Sequence, residues 1–311
     1  MKTLAIVNPA SAGGATGENW SQIQDKIARA MPGIDFQFTQ NKPGSAALIA
    51  RNALQGKYEK ILAIGGDGTL SETVNGLFDN DEAINPDIIF SYIMLGRGND
   101  FQRSIQVPAD IDSAILACAG ADIRHIDIGR VRYTRETGTG VRYFLNIASM
   151  GMSGEVDRAM NATNTASFLG GSGAFLFATL QTLVSYQNKP VTLTIDERVF
   201  FDAPLRVAAI ANGRFFGGGM EIAPNAQLND GRFSVTIVGD LNAFEVAMNT
   251  PLLYQGKHLP SDKIHHVTAQ KVYAESSVPV YLDIDGEAIG MLPAEFVILP
   301  KKLKLQADFQ K

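Results

Sequence analysis

Three short segments in the first hundred residues carry residue types that handle phosphate: Asn8-Pro9-Ala10-Ser11-Ala12-Gly13-Gly14, Gly65-Gly66-Asp67-Gly68-Thr69 and Leu95-Gly96-Arg97-Gly98-Asn99-Asp100-Phe101. The second is the most informative. It follows an apolar run, Ile61 to Ile64, and sets three glycines around one carboxylate before a helical stretch opens. Glycine lets backbone approach anionic oxygens closely, the N–H groups and the next helix N-terminus favour them, and Asp67 can hold Mg²⁺. The same residues also fit a plain helix start, with Thr69 as N-cap and Glu72 closing a capping box. Arg97, between two glycines, presents a planar fork suited to phosphate; an exposed, solvated arginine is the other reading. Asn-Pro and Gly-Asn, taken singly, are common turn formers.

Two more acidic clusters lie downstream. Asp283, Asp285 and Glu287 alternate, so a straight strand would aim all three to one side, whereas Asp285-Gly286 is also a hairpin signal that would swing Glu287 away. Asp230-Gly231 carries the same turn signal. Other chemistries lack an anchor: no Walker A loop, G-x-G-x-x-G after a strand, G-x-S-x-G, C-x-x-C or H-E-x-x-H occurs. His125, His258, His265 and His266 fall in no metal-ligand spacing.

The elements that must position these residues change character along the chain. Leu4–Val7, Phe36–Thr39, Ile61–Ile64 and Ile88–Leu95 read as strands, while Trp20, Ile23, Ile27 and Ala30, and then Ala47, Leu48, Arg51 and Leu54, recur at helical spacing. Alternating strand and helix predicts a parallel sheet in a three-layer α/β domain. From about residue 124 the pattern becomes period two: Arg142–Ala148, Val191–Ile195, Arg206–Ala211, Phe233–Val238, Val278–Ile284 and Glu295–Leu299, with helices expected at Ala174–Gln187 and Ala243–Tyr254. These predict a second, β-rich antiparallel sandwich.

Composition narrows the partners. A net charge of -5 argues against non-specific binding of nucleic acid or of an anionic bilayer, both of which reward clustered Lys and Arg. The lone cysteine, Cys118, sits in a helical-looking stretch, Ile111 to Ala119, and reads as a buried thiol in a cytoplasmic protein. Leu4 to Val7 is too short for a signal peptide and reads as a first strand. The uncharged stretch between Arg158 and Lys189 is rich in Asn, Thr, Ser and Gly, and its apolar part, Ala174 to Tyr186, is well short of the roughly 20 residues a transmembrane helix needs. Within it Phe168, Phe175, Leu176, Phe177, Leu180 and Leu183 can line an acyl groove or pack a helix into a core.

With these residues in view, a family resemblance emerges. Gly65-Gly66-Asp67-Gly68-Thr69-Leu70-Ser71-Glu72-Thr73-Val74-Asn75-Gly76-Leu77 resembles the signature of the diacylglycerol kinase catalytic domain, found in bacterial lipid kinases and related to sphingosine and NAD kinases. Asn8-Pro9-Ala10-Ser11, Gly96 to Phe101, His125-Ile126-Asp127-Ile128-Gly129, Phe144-Leu145-Asn146, Asn212-Gly213 with Gly217-Gly218-Gly219, Pro224 to Gly231 and Asp285-Gly286-Glu287 follow in the expected order.

The resemblance implies a nucleotide-binding domain over residues 1–127, with about 295–311 packing back on it, and a lipid-binding domain over 128–294. It implies an ATP-dependent lipid kinase; an NAD kinase-like enzyme and a non-catalytic nucleotide or lipid sensor are the alternatives. ATP would lie against Asn8, Pro9, Ala10, Ser11, Ala12, Thr39, the run Gly65, Gly66, Asp67, Gly68, Thr69, Leu70, Ser71 and Glu72, and Arg97 and Asn99, with Asp67, Asp100 and Asp127 forming an acidic, water-bridged set around Mg²⁺-ATP. Asp230 with the carbonyls of Gln227 and Arg232 would hold a structural Mg²⁺ or Ca²⁺. The catalytic residues would be Asp67 with Asp285 and Glu287, Glu287 being the favoured base.

The implied partner is a lipid presented at a membrane surface to a cytoplasmic protein in peripheral contact with it; a homodimer is compatible. Three departures stand out: Ala12 replaces a glycine and no basic residue follows it before Lys26, Arg97 stands where Thr is commonest and Met94 where Pro is usual, and residues 159–188 lack the basic residues several relatives carry. Arg97 is expected to replace the missing basic residue.

Overall fold

The computed structural model describes residues 1–96, 98–105, 110–120, 122–162, 181–257 and 261–307. They divide into two compact units: residues 1–128 with 228–230 and the segment from Leu299, and residues 129–227 with 231–298.

In the first unit, strands β1 (Thr3–Val7), β2 (Asp35–Phe38), β3 (Lys60–Gly65) and β4 (Ile89–Met94) form a parallel sheet in the order β2-β1-β3-β4. The main helices of this unit are α1 (Trp20–Ala30), α2 (Ser45–Ala53) and α3 (Asp67–Leu77) between the strands, and α4 (Asp100–Ile105) and α5 (Ile111–Gly120) after β4. Ile23 and Ile27 of α1 and Ala114, Ile115 and Cys118 of α5 cover one sheet face, meeting Ala5, Val7, Leu62, Ile64 and Ile93. α2 and α3 pack against each other so closely that a Cβ on Gly76 would lie 2.3 Å from the Ala47 carbonyl oxygen. Cys118 is buried with its thiol on the Tyr92 carbonyl, and burial pushes its pKa up to about 11, so it is an inert core thiol.

The second unit is built from antiparallel strands. A hairpin joins the later part of β5 (Ile123–Thr134) to β6 (Thr139–Phe144). Next come β7 (Ile147–Gly151), helix α6 (Met152–Ala162), β8 (Lys189–Ile195), β9 (Arg198–Leu205) and β10 (Val207–Ala211). The short pair β11 (Phe215–Phe216) and β12 (Met220–Glu221) precedes β13 (Phe233–Val238), helix α7 (Ala243–Leu253), β14 (Ile264–Ala269), β15 (Lys271–Glu275), β16 (Tyr281–Ile284) and β17 (Glu287–Gln306). One run of the sheet is β14-β13-β10-β7-β16-β17; the other joins β9, β8 and β15 to β17. Alternate residues such as Met150, Leu193, Ile210, Val235, Leu282 and Phe296 form a common core, with Phe144 stacked on Phe233 at 5.7 Å.

The α/β domain and antiparallel β-rich domain expected from the two hydrophobic periods are therefore both present. Two local expectations are corrected. Arg142–Ala148 is not one strand: the chain breaks at Leu145-Asn146 between β6 and β7, because three amides there turn to a carboxylate described below. β17 is far longer than the expected Glu295–Leu299, since successive parts of it pair with different strands. Of the helix expected over Ala174–Gln187, residues 181–185 are described and helical; Phe168, Phe175, Leu176, Phe177 and Leu180 lie outside the described residues. No described helix is long and apolar enough to cross a membrane.

Candidate active-site residues

Parallel strands deliver their following loops to one sheet edge, and here β1, β3 and β4 end in near register. The ladder runs one step past each strand: Asn8 N–H donates to Ile64 O at 2.9 Å, Leu95 N–H to Gly65 O at 2.7 Å, and Thr39 N–H to Val7 O at 2.8 Å. The first and second loops are tied by the Asn8 side-chain amide, which donates to Thr69 Oγ1 at 2.8 Å. The second and third touch at glycines: a Cβ on Gly96 would lie 2.9 Å from Gly66 Cα, and one on Gly98 would lie 2.5 Å from Asp67 Oδ2. Asn8 also organises its own loop, accepting the Ala10 N–H and the Ser11 hydroxyl. Beyond Ser11 the backbone of Ala12, Gly13 and Gly14 is left-handed throughout (φ 54°, 71° and 96°).

The capping-box expectation fails. Helix α3 begins at Asp67, its N-cap is Gly66 in extended conformation, and no side chain caps that first turn. The Thr69 hydroxyl is taken by Asn8. Glu72 reaches instead to the N-terminus of α2, accepting the N–H groups of Gly44 (2.8 Å) and Ala46 (3.1 Å). The start of α3 therefore keeps main-chain N–H groups and the positive end of a helix dipole beside the loops, which suits anionic oxygens. Thr69, Leu70 and Ser71 are buried, and the Thr69 hydroxyl meets the first loop through Asn8.

Asp67 Oδ2 accepts the Asn99 N–H at 3.2 Å. Burial holds its carboxyl above the ordinary range, and the nearby Asp100 adds to the rise. Asn99 Oδ1 is buried without a hydrogen-bond partner among the described residues. Two neighbouring carboxylates and an orphaned amide oxygen are hard oxygen donors, the set that Mg²⁺ takes, so the residues present fit that ion. Asp127 is placed differently: its carboxylate is buried on β5 and accepts the Lys301 N–H at 2.7 Å, while its own N–H goes to Leu228 O. Arg97 lies outside the described residues. Arg103, which sequence reasoning missed, donates from Nη1 to Gly98 O (2.8 Å) and Asp100 Oδ1 (3.0 Å). Its i, i+3 spacing from Asp100 was the available signal.

The loop of Gln227, Asp230 and Arg232 leads into β13, which pairs with β10 and β14, so Asp230-Gly231 is not a hairpin. Arg232 Nη1 reaches Thr268 Oγ1. Among the described residues no three His, Cys, Asp or Glu side chains gather for a metal.

In the second unit, residues from three distant segments meet. Asp285 and Gly286 occupy a two-residue turn with positive φ (51° and 84°) between Ile284 and Glu287, the left-handed pair such hairpins need. The Asp285 carboxylate accepts three main-chain N–H groups, from Leu145 (3.0 Å), Asn146 (3.1 Å) and Ile147 (3.1 Å). Asn212 donates its side-chain amide to Leu145 O, and Asn146 donates its own to Phe215 O. Burial raises the Asp285 carboxyl to about 7, against the lowering by those three N–H groups and by Arg142. Glu287, past the turn, is paired with Arg142. Asp283 is occupied by the Ser149 hydroxyl and the Gly286 N–H.

Comparison with known proteins matches residues 2–131 to the diacylglycerol kinase catalytic domain and residues 146–307 to the YegS C-terminal NAD kinase beta sandwich-like domain. Diacylglycerol kinase from Bacillus subtilis is 28% identical over 320 residues, covering 99% of this chain and all of the relative. That from Staphylococcus saprophyticus is 28% identical over 269 residues, covering 86% and 83%. The crystal structure of a diacylglycerol kinase from Bacillus anthracis superposes with a TM-score of 0.73 at 22% identity, covering 99% of this chain and 97% of that one, a likeness of fold. Since the two matched domains follow each other over nearly the whole chain, the protein belongs to the diacylglycerol kinase catalytic domain family, in the branch whose C-terminal domain is the NAD kinase-like β-sandwich.

Proposed function

We propose that this chain is an ATP-dependent kinase that moves the γ-phosphoryl group onto the hydroxyl of diacylglycerol or a related lipid, taken from a membrane surface. The observation that carries the reading is the loop edge of the first unit: three loops after parallel strands, an uncapped helix start and the Asp67–Asp100 pair. Phosphoryl transfer needs mainly positioning and charge neutralisation. Main-chain N–H groups at the start of α3 and in the first loop bind phosphate oxygens. Asp67 and Asp100 would hold Mg²⁺, which supplies charge neutralisation when bound.

For the acceptor, Asp285 is the better base on geometry. Three amides fix its carboxylate, a carboxylate has about four acceptor positions, and a pKa near 7 suits general-base catalysis. Glu287, tied to Arg142, would then place the acceptor. Asp230, with the carbonyls of Gln227 and Arg232, would bind a structural divalent cation. On that reading Asp230→Asn loses most of the rise in melting temperature that added Mg²⁺ or Ca²⁺ gives the parent; an unchanged rise removes the cation from Asp230.

The NAD kinase-like sandwich keeps a second reading open, a soluble dinucleotide as acceptor. Purified protein given γ-labelled ATP, Mg²⁺, diacylglycerol vesicles and NAD separates the two. Label in the organic phase supports the lipid kinase, label in NADP the alternative, and no transferred label with intact ATP binding a non-catalytic sensor.

A further inference from the structure

The first loop of this chain lacks the basic side chain that phosphate would meet there: between Lys2 and Lys26 there is no Lys or Arg. We propose that Arg103 is the nucleotide-phosphate ligand that takes its place, and that it also braces the third loop.

Arg103 lies on α4, immediately after that loop, with its side chain about half exposed. Nη1 spans the turn, donating to Gly98 O at 2.8 Å and to Asp100 Oδ1 at 3.0 Å. These two acceptors bracket Asn99, whose left-handed backbone (φ 58°) turns its N–H to Asp67. Nε and Nη2 make no hydrogen bond among the described residues. An anchored guanidinium with donors to spare, beside two carboxylates that would hold Mg²⁺, is pre-organised for a phosphate oxygen, and a flexible ammonium is not. The Arg103–Asp100 pair joins a half-exposed guanidinium to a carboxylate that is only 14% exposed, at i, i+3 on one short helix, so each Arg103 variant is first shown to melt as the parent does. This inference rests on the reading of the loop edge as a nucleotide site.

The test compares the whole protein with Arg103→Ala and Arg103→Lys by equilibrium titration with MgATP and, separately, with adenosine. MgATP affinity falls at least about tenfold in Arg103→Ala, the loss expected for a hydrogen bond to a charged group. Arg103→Lys recovers part of it, and adenosine affinity is the same in all three. Equal weakening of MgATP and adenosine would make Arg103 a brace only and overturn the phosphate role, as would unchanged MgATP affinity. Parent protein that binds neither ligand would instead overturn the nucleotide-site reading itself, and the inference with it.

Discussion

Asp67 and Asp285 are both carboxylates raised by burial, yet their surroundings are opposite. Asp67 accepts the Asn99 N–H and stands beside a second carboxylate, Asp100, whose effect the Arg103 guanidinium partly offsets. Asp285 receives three main-chain N–H groups and feels the positive charge of Arg142. A carboxylate that faces a like charge with few donors is stabilised by a cation brought from outside; one gripped by amides already has its positive partners, and at Asp285 burial outweighs them and sets proton exchange near neutrality. On the proposed function, the first unit would receive charge and the second would move a proton.

The contrast can be broken in graded ways. Asp67→Ala removes the proposed metal contact, and turnover falls by several kcal/mol in the transition state, about 10³-fold or more. A folded variant with parental rate would take Asp67 out of the chemistry. Asp285→Asn lowers kcat by roughly 10² to 10⁴, the range of general-base catalysis, and Glu287→Gln lowers it less; the reverse order would move the base to Glu287.

The proton itself gives a pH signature. Asp285 is protonated below about 7 and must lose its proton to act, so kcat/KM rises with pH through about 7, a limb absent in Asp285→Asn. The same raised value means that the contribution of Asp285 to stability is present below its unfolded value and is lost as pH climbs through about 7. Gly98→Ala places a methyl 2.5 Å from Asp67 Oδ2 and displaces that carboxylate, costing about 10²-fold in kcat/KM, the scale of an ångström misplacement. The smallest effect is at Ala12, whose left-handed backbone costs an alanine about 1 kcal/mol that a glycine avoids; Ala12→Gly raises the denaturation free energy by that amount.

Local pattern made much of the fold legible. Trp20, Ile23, Ile27 and Ala30 delimit α1, because one face of that helix is buried and the period follows; the apolar Phe233, Val235 and Ile237 mark β13, although both faces of that strand are buried. What was hidden depends on partners far along the chain. The break at Leu145-Asn146 is set by a carboxylate 138 to 140 residues away. Glu72 has the spacing of a capping box, yet it serves another helix 26 to 28 residues earlier, and nothing in Thr69 to Glu72 distinguishes the two uses. In the acidic segment the Asp-Gly signal marked a real hairpin. The three amides that make Asp285 more than a turn residue have no local signature.

The division of labour between the two centres is tested most directly by one titration: MgATP into the parent, Asp67→Ala and Asp285→Asn, each confirmed folded. The account predicts that Asp285→Asn binds MgATP with the parental dissociation constant although its turnover is lost, while Asp67→Ala loses the Mg²⁺ dependence of binding. If Asp285→Asn loses MgATP affinity and Asp67→Ala keeps it with its Mg²⁺ dependence, the assignment of charge to the first unit and of the proton to the second is contradicted.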